Sequence, residues 1–220
     1  MTGHKIITKK QILFLKLFAE EKNLAKIFYL SGGTTLTEFY IPYRYSDDLD
    51  FFSEQEVLLE AISVFLSKIK RKLGFKNYEF NTSFNRNLFF LNFNNETLKI
   101  EFTYFPFPQI ESPILKDGVL VDSLIDIAVN KLFTIYQKPR SRDFMDLFMI
   151  CSKYNLKMID LVKNARIKFD TVIDPIKLGS QFLLCQELKD YPRLKIKSSK
   201  KNWQDFFLKE ASQIGKTIFK

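Results

Sequence analysis

The stretch Tyr29–Phe52, YLSGGTTLTEFYIPYRYSDDLDFF, constrains this chain most. An apolar run, residues 27–30, predicts a strand that enters Ser31-Gly32-Gly33, and a short helix is expected over residues 34–39. Ile41-Pro-Tyr-Arg reads as a turn, because proline biases the residue before it away from the helix. A second strand, residues 48–52, follows. Two glycines after a strand let the backbone fold tightly and turn its N–H groups outward, which suits phosphate oxygens. Asp48 and Asp50 stand two apart. In an extended segment they share one face while Leu49 and Phe51 point into the core. Paired carboxylates repel unless a cation lies between them, and magnesium accepts one or two carboxylates together with substrate phosphates.

The flanking pattern gives the architecture. Thr8 predicts a cap for a helix running to about Glu21, with Ile12, Leu15, Phe18 and Ala19 as its apolar stripe. Ser53-x-x-Glu56 matches a capping box before an amphipathic helix over 57–73 that Gly74 stops. Strands are expected over 75–80, 87–93 and 97–105, with Asn94-Asn95 turning between the last two. Prolines at 106, 108 and 113 follow, and from Asp122 onward the periodicity is almost wholly helical, with helices over 158–167, 175–188 and 203–218, the last capped by Asn202. The expectation is an α+β fold: a mixed sheet with flanking helices over residues 1–110, then a helical bundle over 111–220.

Glu101 shares the polar face of its strand with Lys99 and Thr103. If that strand pairs beside Asp48 and Asp50, three carboxylates converge as the ligands of a two-metal phosphoryl-transfer site. The plain alternative is an ordinary exposed strand residue. Downstream, a helix from Asp122 carries Lys131 near its buried edge, and Asp143 and Asp146 lie three apart on one face of the next helix. Read structurally, Asp143 caps that helix and Asp146 pairs with Arg142 or Lys131.

Composition removes several chemistries. His4 is the one histidine of 220 residues, so His-dependent zinc sites and Ser-His or Cys-His nucleophiles are not expected. Cys151 and Cys185 read as buried reduced thiols. No apolar run approaches the ~18 residues of a membrane span, and the N-terminus lacks a signal-peptide pattern, which predicts a cytoplasmic protein. The formal charge of +9 is uneven: residues 1–110 hold 14 Lys+Arg against 12 Asp+Glu, and residues 111–220 hold 20 against 13, so +2 and +7. The excess peaks at Arg193, Lys195, Lys197, Lys200 and Lys201 with no acid between them. Such a segment favours a polyanion through counter-ion release, although a solvated surface would have the same composition.

Gly32-Gly33 followed by Arg44-x-Ser46-x-Asp48-Leu49-Asp50, with 14 residues between Gly33 and Asp48, resembles the nucleotidyltransferase signature of the DNA polymerase β superfamily. The wording of the segment, and the downstream KLFTIYQKPRSRDFMDL, are similar to the AbiEii/AbiGii toxin family, over residues 27–150. The resemblance implies a nucleotidyltransferase that moves a nucleoside monophosphate from an NTP to an acceptor, with two Mg2+ on Asp48, Asp50 and Glu101. It assigns Ser31, Gly32, Gly33, Thr34, Arg44, Ser46 and Lys131 to the nucleotide, and Asp143 and Asp146 to support. It also implies a bacterial toxin with a possible antitoxin partner. The basic segment suggests RNA, such as a tRNA 3′ end, as acceptor. Alternatives are transfer to a small molecule or a protein hydroxyl, or a non-catalytic nucleic-acid-binding module on the same fold.

Overall fold

The computed structural model describes residues 6–195 and 200–218. It divides into two compact units, 1–123 and 124–220. The first unit runs α1 (Lys9–Glu20), α2 (Lys22–Ala25), β1 (Tyr29–Ser31), α3 (Gly32–Thr35), β2 (Leu49–Ser53), α4 (Leu59–Leu73), β3 (Asn77–Ser83), β4 (Arg86–Asn92), β5 (Thr97–Tyr104), β6 (Ile114–Lys116) and β7 (Val119–Val121). Thr8 caps α1 in a reciprocal capping box with Gln11. Gly74, at φ 83°, closes α4 in the left-handed conformation that glycine adopts without strain.

The sheet has the order β3-β4-β5-β2-β1-β7-β6. β2/β5 and β1/β7 are parallel and the remaining pairs antiparallel, so the sheet is mixed. One face carries the core. Ile62, Phe65, Leu66, Ile69 and Leu73, at helical spacing on α4, are buried with Phe14 and Phe18 of α1 against Leu49, Phe51, Ile100 and Phe102. Its centre is aromatic: the Phe18 and Phe51 ring centroids are 4.4 Å apart, and Phe51 stacks on Phe102 at 5.1 Å. Strand alternation therefore turns Asp50, Lys99 and Glu101 to the opposite face.

Four local readings change. The first strand is shorter than expected, because residues 27–28 lie outside it. The helix after it starts on Gly32 and passes into a π-helical turn over Leu36–Tyr40. Ser53 ends β2 with its hydroxyl bonded to Gln55, so the capping-box pattern is not used, and α4 starts after Leu58 without a side-chain cap. β6 and β7 add two strands where the prolines had suggested that the sheet had ended; each is only three residues long, too short for a pattern of period two to register.

The second unit is helical: α5 (Leu124–Gln137), α6 (Ser141–Tyr154), α7 (Met158–Lys168), α8 (Pro175–Leu183) continued by a 3-10 turn, Leu184–Gln186, and α9 (Lys200–Ile218). Asn202 falls inside α9 rather than before it. Phe144, Phe182, Trp203 and Phe207 fill its interior, the Phe144 and Phe207 rings meeting edge-on at 4.6 Å. Lys168 and Asp126 form an ion pair with both side chains wholly buried. Cys151 and Cys185 are free and buried. Burial pushes their thiols up to about 12 and about 11, far from the thiolate that a nucleophile needs. No helix among the described residues is long and apolar enough to cross a membrane.

Candidate active site

Three adjacent strands build the site. In the antiparallel β1/β2 pair Ser31 stands opposite Asp50, and in the parallel β2/β5 pair Asp50 stands opposite Glu101. The turn after β1 is shaped by what its glycines lack. Gly32 has φ +76°, and a Cβ there would lie 2.4 Å from Asp50 Oδ2. A Cβ on Gly33 would lie 2.3 Å from Arg44 Nη2 and 3.2 Å from Ser46 Oγ. Gly32 is held to glycine by both its φ and its neighbour, whereas a Cβ on Gly33 would displace the tip of Arg44; the approaching groups are the acid and the base of the signature.

The hydroxyls nearby support the frame. Thr34 Oγ1 donates to the Asp48 carbonyl, Thr37 Oγ1 donates to the Gly33 carbonyl at 3.0 Å, and Gln11 Nε2 donates to the Asp47 carbonyl at 2.9 Å. Ser31 Oγ donates to Asp122 Oδ2 at 2.7 Å, and the Asp122 carbonyl accepts from Tyr40 at 2.8 Å. Asp122 is fully buried. It fixes the end of β1 from below, a role that no local sequence pattern signals because 91 residues separate the partners. Arg44 is buried, with Nη1 donating to the Tyr45 carbonyl.

Each outer acid has a basic partner. Lys99 Nζ lies 2.6 Å from Asp48 Oδ2. Arg86 donates from Nε and Nη2 to the two Glu101 oxygens, each at 2.6 Å, and Thr103 Oγ1 donates to Glu101 Oε1 at 2.7 Å. Burial pushes the Glu101 carboxyl up, but the Arg86 and Thr103 bonds outweigh it and hold the group below its ordinary value. The bond to Glu101 holds the Arg86 guanidinium protonated against burial, with the fields of Asp50 and Asp48 added. The five side chains therefore form one electrostatic cluster on one sheet face, with three carboxylates and two cations.

The strand pairing sets Glu101 beside Asp50, yet its carboxylate is turned to Arg86, and among the described residues no group of three His, Cys, Asp or Glu side chains is placed to hold a metal ion. Asp48 and Asp50 remain as a two-carboxylate donor set of hard oxygens, matched to magnesium held jointly with substrate phosphates.

The downstream motif builds a different object within the helical unit. Lys131 Nζ lies 2.7 Å from Asp143 Oδ1 and 2.7 Å from Asp146 Oδ2. Arg140 Nε donates to Asp143 Oδ2 at 2.7 Å. The N-cap of α6 is Arg140, without a side-chain cap bond, so Asp143 does not cap the helix. Arg193 and Lys195 are exposed. Lys197 lies outside the described residues, and so do the side chains of Lys200 and Lys201.

Comparison with known proteins agrees with this geometry. A family profile described as nucleotidyl transferase AbiEii toxin, type IV TA system, matches residues 15–213. An uncharacterized protein of Aquifex aeolicus strain VF5 is 29% identical over 147 residues, 66% of this chain and 68% of that protein. Among solved structures, JHP933 from Helicobacter pylori superposes with a TM-score of 0.62 at 21% identity, over 96% of this chain and 94% of that one. A candidate nucleotidyltransferase from H. pylori gives 0.62 at 20% identity, over 96% and 97%. These two likenesses are of fold.

Proposed function

The chain belongs to the AbiEii family of nucleotidyltransferase toxins, and from that premise we propose that it transfers a nucleoside monophosphate from an NTP to an RNA acceptor at Asp48 and Asp50, releasing pyrophosphate. The observation that carries the assignment is the packing of Asp50 against Gly32, where a Cβ would stand 2.4 Å from Oδ2. A polar sheet face serving as plain surface has no need of a left-handed glycine under an acid.

Asp48 and Asp50 would hold divalent magnesium, which supplies charge neutralisation at the transferring phosphoryl group and a lowered pKa on the attacking hydroxyl. Gly32 and Gly33 keep the strand-to-helix turn low enough for the triphosphate to approach. Arg44, packed on Gly33, and Ser46 beside it present positive charge and a hydroxyl to the phosphates. Glu101 contributes fixed negative charge beside Asp50, already balanced by Arg86. Asp122 is a positioning residue, acting through Ser31. For Lys131, Asp143 and Asp146 the family resemblance implies service to the nucleotide; their mutual contacts support a structural role within their own unit.

The RNA acceptor, with a tRNA 3′ end as the form we favour, is supported by the +7 charge of residues 111–220 and its peak at 193–201. The family implies a toxin acting in the cytoplasm, restrained by an antitoxin. The test is to incubate the protein with each α-labelled NTP, Mg2+ and total RNA. Label on one RNA size class supports the reading. Label on protein or on a small molecule replaces RNA with that acceptor, and no label with any NTP removes the proposed reaction.

A further inference from the structure

Lys99 and Arg86 both neutralise acids of the site, on unequal terms. Arg86, whose own side chain keeps 53% of its exposure, grips Glu101 through two bonds of 2.6 Å, and Glu101 is 4% exposed. A fork on a buried carboxylate gains two parallel charge-assisted bonds, and opening it would strand a buried charge. Lys99 makes one contact, 2.6 Å to Asp48 Oδ2, and the two side chains keep 25% and 37% of their exposure. A single part-exposed pair of this kind exchanges readily. Its ammonium is also a rotatable point charge on a four-carbon stem, while the guanidinium is planar and directional.

Register places the ammonium usefully. Leu49 pairs with Ile100 and Asp50 with Glu101, so Lys99 on β5 is level with Asp48, the residue immediately before β2. It lies on the sheet face that carries both acids. Three carboxylates lie together on this part of the sheet, and a triphosphate arriving there brings more negative charge. We infer that Lys99 is a nucleotide-binding residue of this chain: its ammonium leaves Asp48 for a phosphate oxygen of the NTP when Asp48 takes up the divalent cation, while Arg86 stays on Glu101. The inference rests on the nucleotidyltransferase reading of Asp48 and Asp50 and adds a residue to it.

The test compares parent, Lys99→Met and Lys99→Arg by calorimetry, with two titrants used separately. Mn2+ alone reports competition for Asp48, and removal of the ammonium should tighten it roughly fivefold or more. The α,β-methylene analogues of the four NTPs, with Mg2+, report the phosphate contact. Lys99→Met should weaken the best-bound analogue roughly ten- to a hundredfold, and Lys99→Arg should stay near the parent. Opposite signs for the two titrants in one variant are the expected signature. If Lys99→Met binds Mn2+ more tightly and the analogue no more weakly than the parent, Lys99 is only a counter-ion of Asp48 and the inference is overturned. If the parent binds no analogue, the reading of Asp48 and Asp50 fails first and the inference goes with it. Thermal melting shows whether each variant is folded; should Lys99→Met not be, Lys99→Gln is read in its place.

Discussion

In the sheet, Asp48 just before β2, Asp50 on β2 and Glu101 on β5 lie with Lys99 of β5 and Arg86 of β4; in the helical unit, Asp143 and Asp146 of α6 lie with Lys131 of α5 and Arg140, the N-cap of α6. The residue types are alike and the surroundings are not. In the helical cluster the Asp143 and Asp146 side chains keep 1% and 0% of their exposure and Lys131 keeps 11%. Lys131 bridges both acids there, and Arg140 adds a second contact to Asp143. In the sheet cluster Asp48 keeps 37%, and a glycine has been cleared for Asp50. A closed buried cluster holds a fold together, because removing any member strands a charge. A part-exposed cluster such as the Asp48–Lys99 pair exchanges its partners more readily and is open to an incoming cation.

The largest expected effect breaks the closed cluster. Lys131→Met leaves Asp143 and Asp146 buried without their shared cation, and it should lower the unfolding free energy by about 3 to 5 kcal/mol. Urea unfolding monitored at Trp203, which sits inside the helical unit, reads the change. A decrease below about 1 kcal/mol would mean that the cluster is solvated after all. Gly32→Ala acts on the open cluster. The side chain meets Asp50 Oδ2 and a backbone at φ +76°, so we expect nucleotide transfer to fall about a hundredfold from displacement of Asp50. Retention of parental activity would show that Asp50 does not depend on the glycine.

A smaller effect comes from pH. The Glu101 carboxyl lies below its ordinary value in the folded chain, so its pairing stabilises above the unfolded pKa, near 4.5, and that contribution disappears as pH falls through the folded value. The stability gap between the parent and Arg86→Met should therefore be widest at neutral pH and shrink below about pH 4. A gap that does not change with pH would remove the ion pair as its cause. The smallest effect concerns the basic segment. Lys195, Lys197 and Lys200→Gln together should flatten log K against log salt for RNA by roughly 0.7 to 0.9 for each phosphate that is no longer neutralised, and leave NTP affinity unchanged. RNA binding like the parent's would take away the charge argument for that acceptor.

The sequence made the sheet face legible because period two and the i, i+2 spacing of Asp48 and Asp50 need only local information. α1, with Thr8 as its cap, and the alternation around Glu101 were legible for the same reason. What could not be read was set by long-range partners. Ser31 finds Asp122 across 91 residues, Lys99 finds Asp48 across 51, and Arg86 reaches Glu101 through hairpin register. That last pairing gives Glu101, the expected third metal ligand, a basic partner that its own strand does not announce. Ser53-x-x-Glu56 failed as a capping box because Ser53 still belongs to β2, and its hydroxyl serves the turn after it. The strands β6 and β7 follow three prolines and are too short to announce themselves.

One measurement addresses the open cluster most directly: label transfer from NTP to RNA with Mg2+ by Asp50→Ala, beside a thermal melt of the same preparation without metal. Removing one of several neighbouring carboxylates relieves repulsion as well as deleting the proposed ligand. We expect no detectable transfer and a melting temperature no lower than the parent's. An Asp50→Ala protein that is folded and still transfers label would contradict the assignment, because Asp48 alone would then suffice and the cleared glycine would have no catalytic meaning.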